Sequence, residues 1–218
     1  MLKLDKVSYR YKKGVNDVLK EVSAEFEAGK LHAIVGPSGS GKTTLLSIMA
    51  GMDTPKSGAV FIEGDSLADL DLDNYRRERI SMIFQAFHLF PLLTALENAS
   101  YPLEAQGSTR QDAQARAKEL LEGVGISEEK HRRFPSNLSG GEQQRVAIAR
   151  ALTTGAKVIL ADEPTGNLDG ENGDAVMDIL NRLAHEEGYC VIIVTHNMEI
   201  ADASDIVFRM KDGVMTQM

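Results

Sequence analysis

The sequence predicts an α/β fold in which strand–helix alternation is interrupted by an inserted helical lobe, and three observations carry this. Residues 36–43 read Gly-Pro-Ser-Gly-Ser-Gly-Lys-Thr, between the strand-like run Leu31–Val35 and a helical run Thr43–Ala50 that Gly51 stops. Residues 158–161, Val-Ile-Leu-Ala, form a second apolar run that ends on Asp162 and Glu163, as a buried parallel strand does. Between these two halves, from about Gln85 to Leu152, the pattern is helical and more polar.

The first sixty-odd residues alternate β-like runs with turns. Val7–Tyr11, Val22–Phe26, Leu31–Val35 and Ala59–Glu63 read as strands, with Lys12-Lys13-Gly14 and Ala28-Gly29-Lys30 among the turns. In the helical lobe, Gln111–Gly123 carries Ala, Leu and charges at helical spacing. Glu142–Leu152 does the same, with Val146, Ile148, Ala149 and Leu152 as its apolar members. Alternation then resumes: strand Val158–Ala161, helix Asn172–Glu186, strand Cys190–Val194, a short helix after His196, and strand Ile206–Met210.

With 218 residues, 43% of them hydrophobic, the chain can bury one core, or one core plus an inserted lobe. A net charge of −8 argues against nonspecific nucleic-acid binding, which needs a basic face. The basic clusters Arg76-Arg77-Glu78-Arg79 and Lys130-His131-Arg132-Arg133 read as solvated helix and loop charges. The single cysteine, Cys190, sits in an apolar run and is expected to be an inert core thiol in a reducing compartment. No secretory leader opens the sequence, and no run approaches the ~18 apolar residues of a membrane span. The expectation is a cytosolic chain, free to dock on a membrane protein.

Residues 36–43 match the phosphate-binding loop G-x-x-x-x-G-K-[ST] at every fixed position, which points to a nucleoside triphosphate ligand. Glycines let the backbone approach an anion, and the N–H groups of residues 39–44 point at the β-phosphate from a helix N-terminus. Lys42 is placed to reach the β- and γ-phosphates, and the Thr43 hydroxyl to take one Mg²⁺ position. At the tip of the second strand, Asp162 can hold Mg²⁺ through water. Glu163, one residue on and pointing elsewhere, is suited to polarise a water for attack on the γ-phosphate. Pro164 fixes the following turn.

Leu138-Ser139-Gly140-Gly141-Glu142-Gln143-Gln144-Arg145 admits two readings. Ser139 and Glu142 can form a capping box at a helix start. The same helix N-terminus, with two glycines that allow close approach, can be a second phosphate site. One phosphate cannot easily use both sites of one chain, whereas two chains in head-to-tail apposition could.

This octapeptide is similar to the signature sequence of the ATP-binding cassette (ABC) ATPases, and the chain resembles that family across nearly its whole length. The resemblance implies a RecA-like phosphate-loop core with an N-terminal antiparallel β-subdomain and an inserted α-helical subdomain. Residues 1–218 would form one cassette domain, with 1–85 and 155–218 as the core and about 86–154 as the helical lobe. It also implies ATP and Mg²⁺ as cofactors and an ATP-dependent homodimer. ATP would be held by Tyr11, Gly36, Pro37, Ser38, Gly39, Ser40, Gly41, Lys42, Thr43 and Thr44. The second chain would add Ser139, Gly140, Gly141, Glu142 and Gln143. Tyr11 resembles the aromatic that stacks on adenine, with Tyr9 as the alternative. Gln85, Lys42, Glu163 and His196 would serve catalysis, Gln85 contacting Mg²⁺ and the attacking water and His196 sensing the γ-phosphate. Thr43, Gln85 and Asp162 would serve Mg²⁺. Asn167-Leu168-Asp169 resembles the D-loop of the dimer contact.

Phe84–Asn98 and Ala161–Asp169 resemble the ATPases of the macrolide-exporter, lipoprotein-releasing and cell-division group. That likeness implies the energising subunit of a transporter or mechanotransmission complex. It would work at the cytoplasmic face of the membrane through a permease that docks near Ala86–Ser100. The alternative is a soluble ATPase of the same superfamily acting in signalling or DNA repair. The acidic charge and the absence of sustained heptads weigh against the DNA-repair form. A phosphate-loop kinase would leave Ser139–Arg145 unexplained.

Overall fold

The computed structural model describes residues 1–12 and 14–218. Lys13, in the expected turn Lys12-Lys13-Gly14, lies outside the described residues. The chain runs β1 (Leu2–Tyr9), β2 (Leu19–Phe26), β3 (Lys30–Val35), α1 (Lys42–Met49), β4 (Ser57–Ile62), β5 (Asp65–Ser66), α2 (Leu72–Glu78), β6 (Ile80–Phe84), α3 (Ala95–Ala105) and α4 (Arg110–Gly123). It continues through α5 (Gly140–Thr153), β7 (Val158–Asp162), α6 (Gly170–His185), β8 (Cys190–Thr195), α7 (Met198–Asp202), β9 (Ile206–Lys211) and β10 (Val214–Gln217).

The strands form two sheets. One is antiparallel, in the order β2-β1-β4-β5; the other has the order β10-β9-β3-β8-β7-β6, parallel except for the β10–β9 pair. The inner strands β7 and β8 are apolar up to Asp162 and Thr195 at their tips because both faces are covered. Ile34, Leu160, Ile192 and Val194 join α1 and the antiparallel sheet in one core. Their neighbours Leu31, Ile159, Ala161, Val191 and Ile193 face the other way, into a core shared with α4, α5 and α6. Within the described residues no helix is long and apolar enough to cross a membrane.

Several expectations move. β1 starts at Leu2 and ends before Tyr11, because register shifts after Leu4 and Val7, with Lys6 at φ 47°, break the alternation that marks a strand. β6 and β10 are short, and α2 is a seven-residue helix capped by Asp71, so none stood out by periodicity. The basic clusters are not simply solvated. Arg76 donates to the Gly51 carbonyl and Arg79 pairs with Asp65, while His131 is buried with Nε2 3.1 Å from the Ile126 carbonyl. Backbone at His131 and Arg133 accepts from Leu96 and Ala95 at the start of α3, which draws that histidine inside. Cys190 is buried as expected, and burial pushes its thiol up to about 12.

Candidate active site

Four parallel strands end at one edge of the sheet, and each delivers a predicted segment. Val35 lies opposite Thr195, Asp162 opposite Val194, and Phe84 opposite Asp162. The residues just beyond these tips are therefore Gly36, His196, Glu163 and Gln85, side by side where ligands bind in open α/β sheets. A cleft of about 450 Å³ at this edge is lined by Tyr11, Ser38, Gly39, Gly41, Lys42, Thr43, Thr44, Gln85, Asp162 and Glu163.

The loop 36–41 closes onto α1. Lys42 is buried, and its Nζ donates to the carbonyls of Gly36 at 2.7 Å and Pro37 at 3.1 Å. The first turn of α1 has no side-chain cap, whereas Thr94, Thr109, Ser139 and Asp169 cap α3, α4, α5 and α6. Uncapped leading N–H groups call for an external acceptor, and phosphate fits. The Ser40 hydroxyl is buried with no partner among the described residues. Gly36 has a further reason to be glycine: a Cβ there would run into the Met210 carbonyl oxygen, so β9 excludes a side chain.

Asp162 is half-buried. Burial first, and Glu163 second, raise its carboxyl above the ordinary range, opposed by the Thr43 hydroxyl and Lys42. A divalent cation beside it would supply the compensation it lacks. No group of three His, Cys, Asp or Glu side chains among the described residues forms a metal cage of its own. That suits Mg²⁺, which takes one or two carboxylates plus substrate phosphates.

Glu163 adopts φ 48°, a conformation costly for a residue with a Cβ. Its N–H donates to Val194 O at 2.9 Å, and its carbonyl accepts from Gly166 N at 3.0 Å. Held this way, its carboxylate departs from the strand direction. Oε1 lies 2.8 Å from His196 Nδ1, and Oε2 accepts from Thr195 Oγ1 at 3.2 Å. Thr195 escaped the sequence reading because its neighbour His196 carried the visible chemistry.

Tyr11 is half exposed, its hydroxyl 2.8 Å from Thr44 Oγ1. Tyr9 instead donates to Asp53, and the two rings meet edge to face at 5.1 Å. Ser139–Gln143 does not line the cleft of its own chain. Both capping-box bonds are made, Ser139 N to Glu142 Oε2 at 2.8 Å and Glu142 N to Ser139 Oγ at 3.2 Å. What approaches Gly141 is the same chain, since a Cβ there would lie 2.0 Å from Asn172 Oδ1. Asn172 in turn is held by Asp169, which caps α6. Asn167 meets Gln85 across the sheet edge, and Leu168 is half-buried against the second core.

A family model described as ABC transporter matches residues 19–166. An uncharacterized ABC transporter ATP-binding protein, YclH of Bacillus subtilis, is 40% identical over 99% of this chain and 96% of its own length. Macrolide export ATP-binding/permease protein MacB 2 of Aeromonas hydrophila is 44% identical over 98% of this chain, which spans only 33% of that relative. Among solved structures, the dimeric bacterial ABC transporter cassette MJ0796 superposes with a TM-score of 0.89 at 40% identity, over 100% of this chain and 98% of the other. A post-hydrolysis dimer of that cassette, bound to ADP and Pi, matches with the same TM-score at 39% identity. The chain is an ATPase that uses ATP and Mg²⁺, and it belongs to the ABC transporter ATP-binding family.

Proposed function

We propose that this chain energises a membrane permease by closing as a homodimer around two ATP molecules and opening on hydrolysis. The observation that carries the proposal is the split of the phosphate machinery. One cleft gathers the loop 36–44, Gln85, Asp162 and Glu163, while the helix N-terminus at Ser139–Gln143 lies off it. A second chain supplies that N-terminus to the γ-phosphate.

Within one site, Lys42 and the leading N–H groups of α1 neutralise and orient the phosphates. Mg²⁺, when bound near Thr43, Gln85 and Asp162, neutralises charge on the phosphate oxygens. Glu163 takes a proton from the attacking water, and His196 orients the Glu163 carboxylate from Oε1. Tyr11 stacks on the adenine. Residues 86–154 act as the lobe that moves against the core, and Ala86–Ser100 carries the permease contact, at the cytoplasmic face of the membrane. Likeness to the permease-fused MacB proteins favours efflux, or handling of lipoprotein, peptide or hydrophobic cargo.

The test is Glu163→Gln. Hydrolysis falls by about 10²–10⁴-fold, the usual worth of a general base, while ATP binding is retained. Size measurement of this variant finds a dimer with ATP and a monomer without. Lys42→Ala loses ATP binding itself. Wild-type turnover by Glu163→Gln, or a monomer under both conditions, overturns the reading.

A further inference from the structure

Gln85 and Asn167 are joined reciprocally across 82 residues of sequence. Gln85 Nε2 donates to Asn167 Oδ1 at 3.2 Å, and Asn167 Nδ2 donates to the Gln85 backbone carbonyl at 2.9 Å. The two bonds fix both carboxamides in turn. A backbone carbonyl only accepts, so the atom of Asn167 facing it is the nitrogen. Oδ1 is then the acceptor that faces Gln85, so Nε2 is the Gln85 atom committed to it. The Gln85 Oε1, an acceptor only, is left for the cleft that Gln85 shares with Thr43 and Asp162.

Two further features build this pairing into the fold. A Cβ at Gly166 would lie 2.8 Å from Gln85 Nε2, so the backbone beside Asn167 is pressed against the Gln85 amide. Gly166 N–H also closes the turn onto the carbonyl of Glu163. The carboxylate and the carboxamide holder thus ride on one turn.

Resting on the assignment of Gln85 to Mg²⁺, we infer that Asn167 is a positioning residue for that ion. It commits the Gln85 amide nitrogen and presents the hard oxygen that Mg²⁺ requires. Without it the Gln85 carboxamide rotates, and in the flipped orientation turns NH₂ donors toward the cation. Loss of such a supporting partner costs about 10–100-fold in metal affinity.

The experiment measures Mn²⁺ affinity by electron paramagnetic resonance on the full chain with ATP, in the Glu163→Gln background so that turnover is suppressed. Asn167→Ala weakens Mn²⁺ binding about tenfold, the low end of that range because the pair is exposed, with ATP affinity in the absence of cation and the melting temperature unchanged. Asn167→Asp, which keeps an acceptor for Nε2, restores the affinity. Gly166→Ala, which displaces the Gln85 amide by another route, reproduces the loss. Gln85→Ala weakens Mn²⁺ on its own, and adding Asn167→Ala to it changes nothing more. Equal losses from Asn167→Ala with and without Gln85 overturn the positioning role while leaving the Gln85 assignment standing. Full Mn²⁺ affinity in Gln85→Ala overturns that assignment, and the inference with it.

Discussion

Gln144 Nε2 donates to the carbonyl of Pro164 at 2.7 Å, with both residues buried. Gln144 lies in α5, five residues past Ser139, and Pro164 directly follows Glu163. The helix that would face a partner's ATP is thereby tied to the turn that carries the carboxylate of its own site. Gln144→Leu removes the donor and leaves the Pro164 carbonyl buried and unpaired. It should cost about 1–3 kcal/mol, the penalty of an unmade buried hydrogen bond. For a chain of this size each kcal/mol lowers the melting temperature by about 2–4 °C, which calorimetry resolves. An unchanged melting temperature would mean that the carbonyl finds another donor.

Tyr11 and Tyr9 divide two jobs. Burial first, then the bond to Asp53, raises the Tyr9 phenol, which is anchored in the β-subdomain. The Tyr11 ring leaves the strand, lines the cleft and is braced edge-on by Tyr9. Tyr11→Ala should weaken ATP binding by about 1–3 kcal/mol, the usual worth of base–aromatic stacking, whereas Tyr9→Phe should leave it unchanged. Titration calorimetry with ATP and Mg²⁺ decides; unchanged affinity in Tyr11→Ala overturns the assignment of the stacking to Tyr11.

Much of this was legible in the sequence because the site is made of contiguous motifs at strand ends. Gly36–Thr43, Asp162-Glu163 and His196 each lie at the end of an apolar run, so the strand tip could be read from the run and the chemistry from the polar residues at its end. The helices α4, α5 and α6 announced themselves by length and spacing. Contacts between segments far apart in sequence were not legible. Nothing in Gly36 says that Met210 crowds it, nor in Gly141 that Asn172 does. Nor do Gln85 and Asn167 declare a bond across 82 residues. His131 looked like one charge among four, and only the pairing of its backbone with α3 draws it inside.

His32 gives the stability a pH dependence. It is buried in β3, with Nδ1 3.3 Å from the Val191 carbonyl and Nε2 accepting from Glu27 N–H at 3.2 Å. Both nitrogens are committed with the ring neutral, and burial lowers its pKa against the weaker opposing pull of the Val191 carbonyl, Glu27 and Asp205. The unfolded state then binds the extra proton. Stability is full above the unfolded value of about 6.5 and declines as pH falls from there toward the lowered folded value. One such group contributes a slope of at most ~1.4 kcal/mol per pH unit. Urea unfolding of the wild type should show the decline between pH 7.5 and 5.5. His32→Gln, lower in stability throughout, should show a shallower one; equal slopes would assign the effect to other histidines.

The proposed docking segment is sharper in the structure than its apolar composition suggested. Of its large apolar residues, Leu89 and Leu96 pack on the second core, and Phe87, at φ 58°, is only partly exposed. Arg150 donates to the carbonyls of Phe87 and His88 at 2.9 and 2.6 Å, which holds this strained stretch in place directly beyond Gln85. The outward side chains are Phe90, 44% exposed with its ring 5.0 Å from that of Tyr101, and Leu92, 86% exposed. Exposed positions of this kind change stability by only about 0.5 kcal/mol when substituted. The Phe90→Ser, Leu92→Ser double variant should therefore melt as the wild type does and hydrolyse ATP at the wild-type basal rate when isolated. The wild-type chain should co-purify with a membrane protein from native membranes, and the double variant should lose it. Retention of that protein in full by the folded double variant would move the contact off this segment.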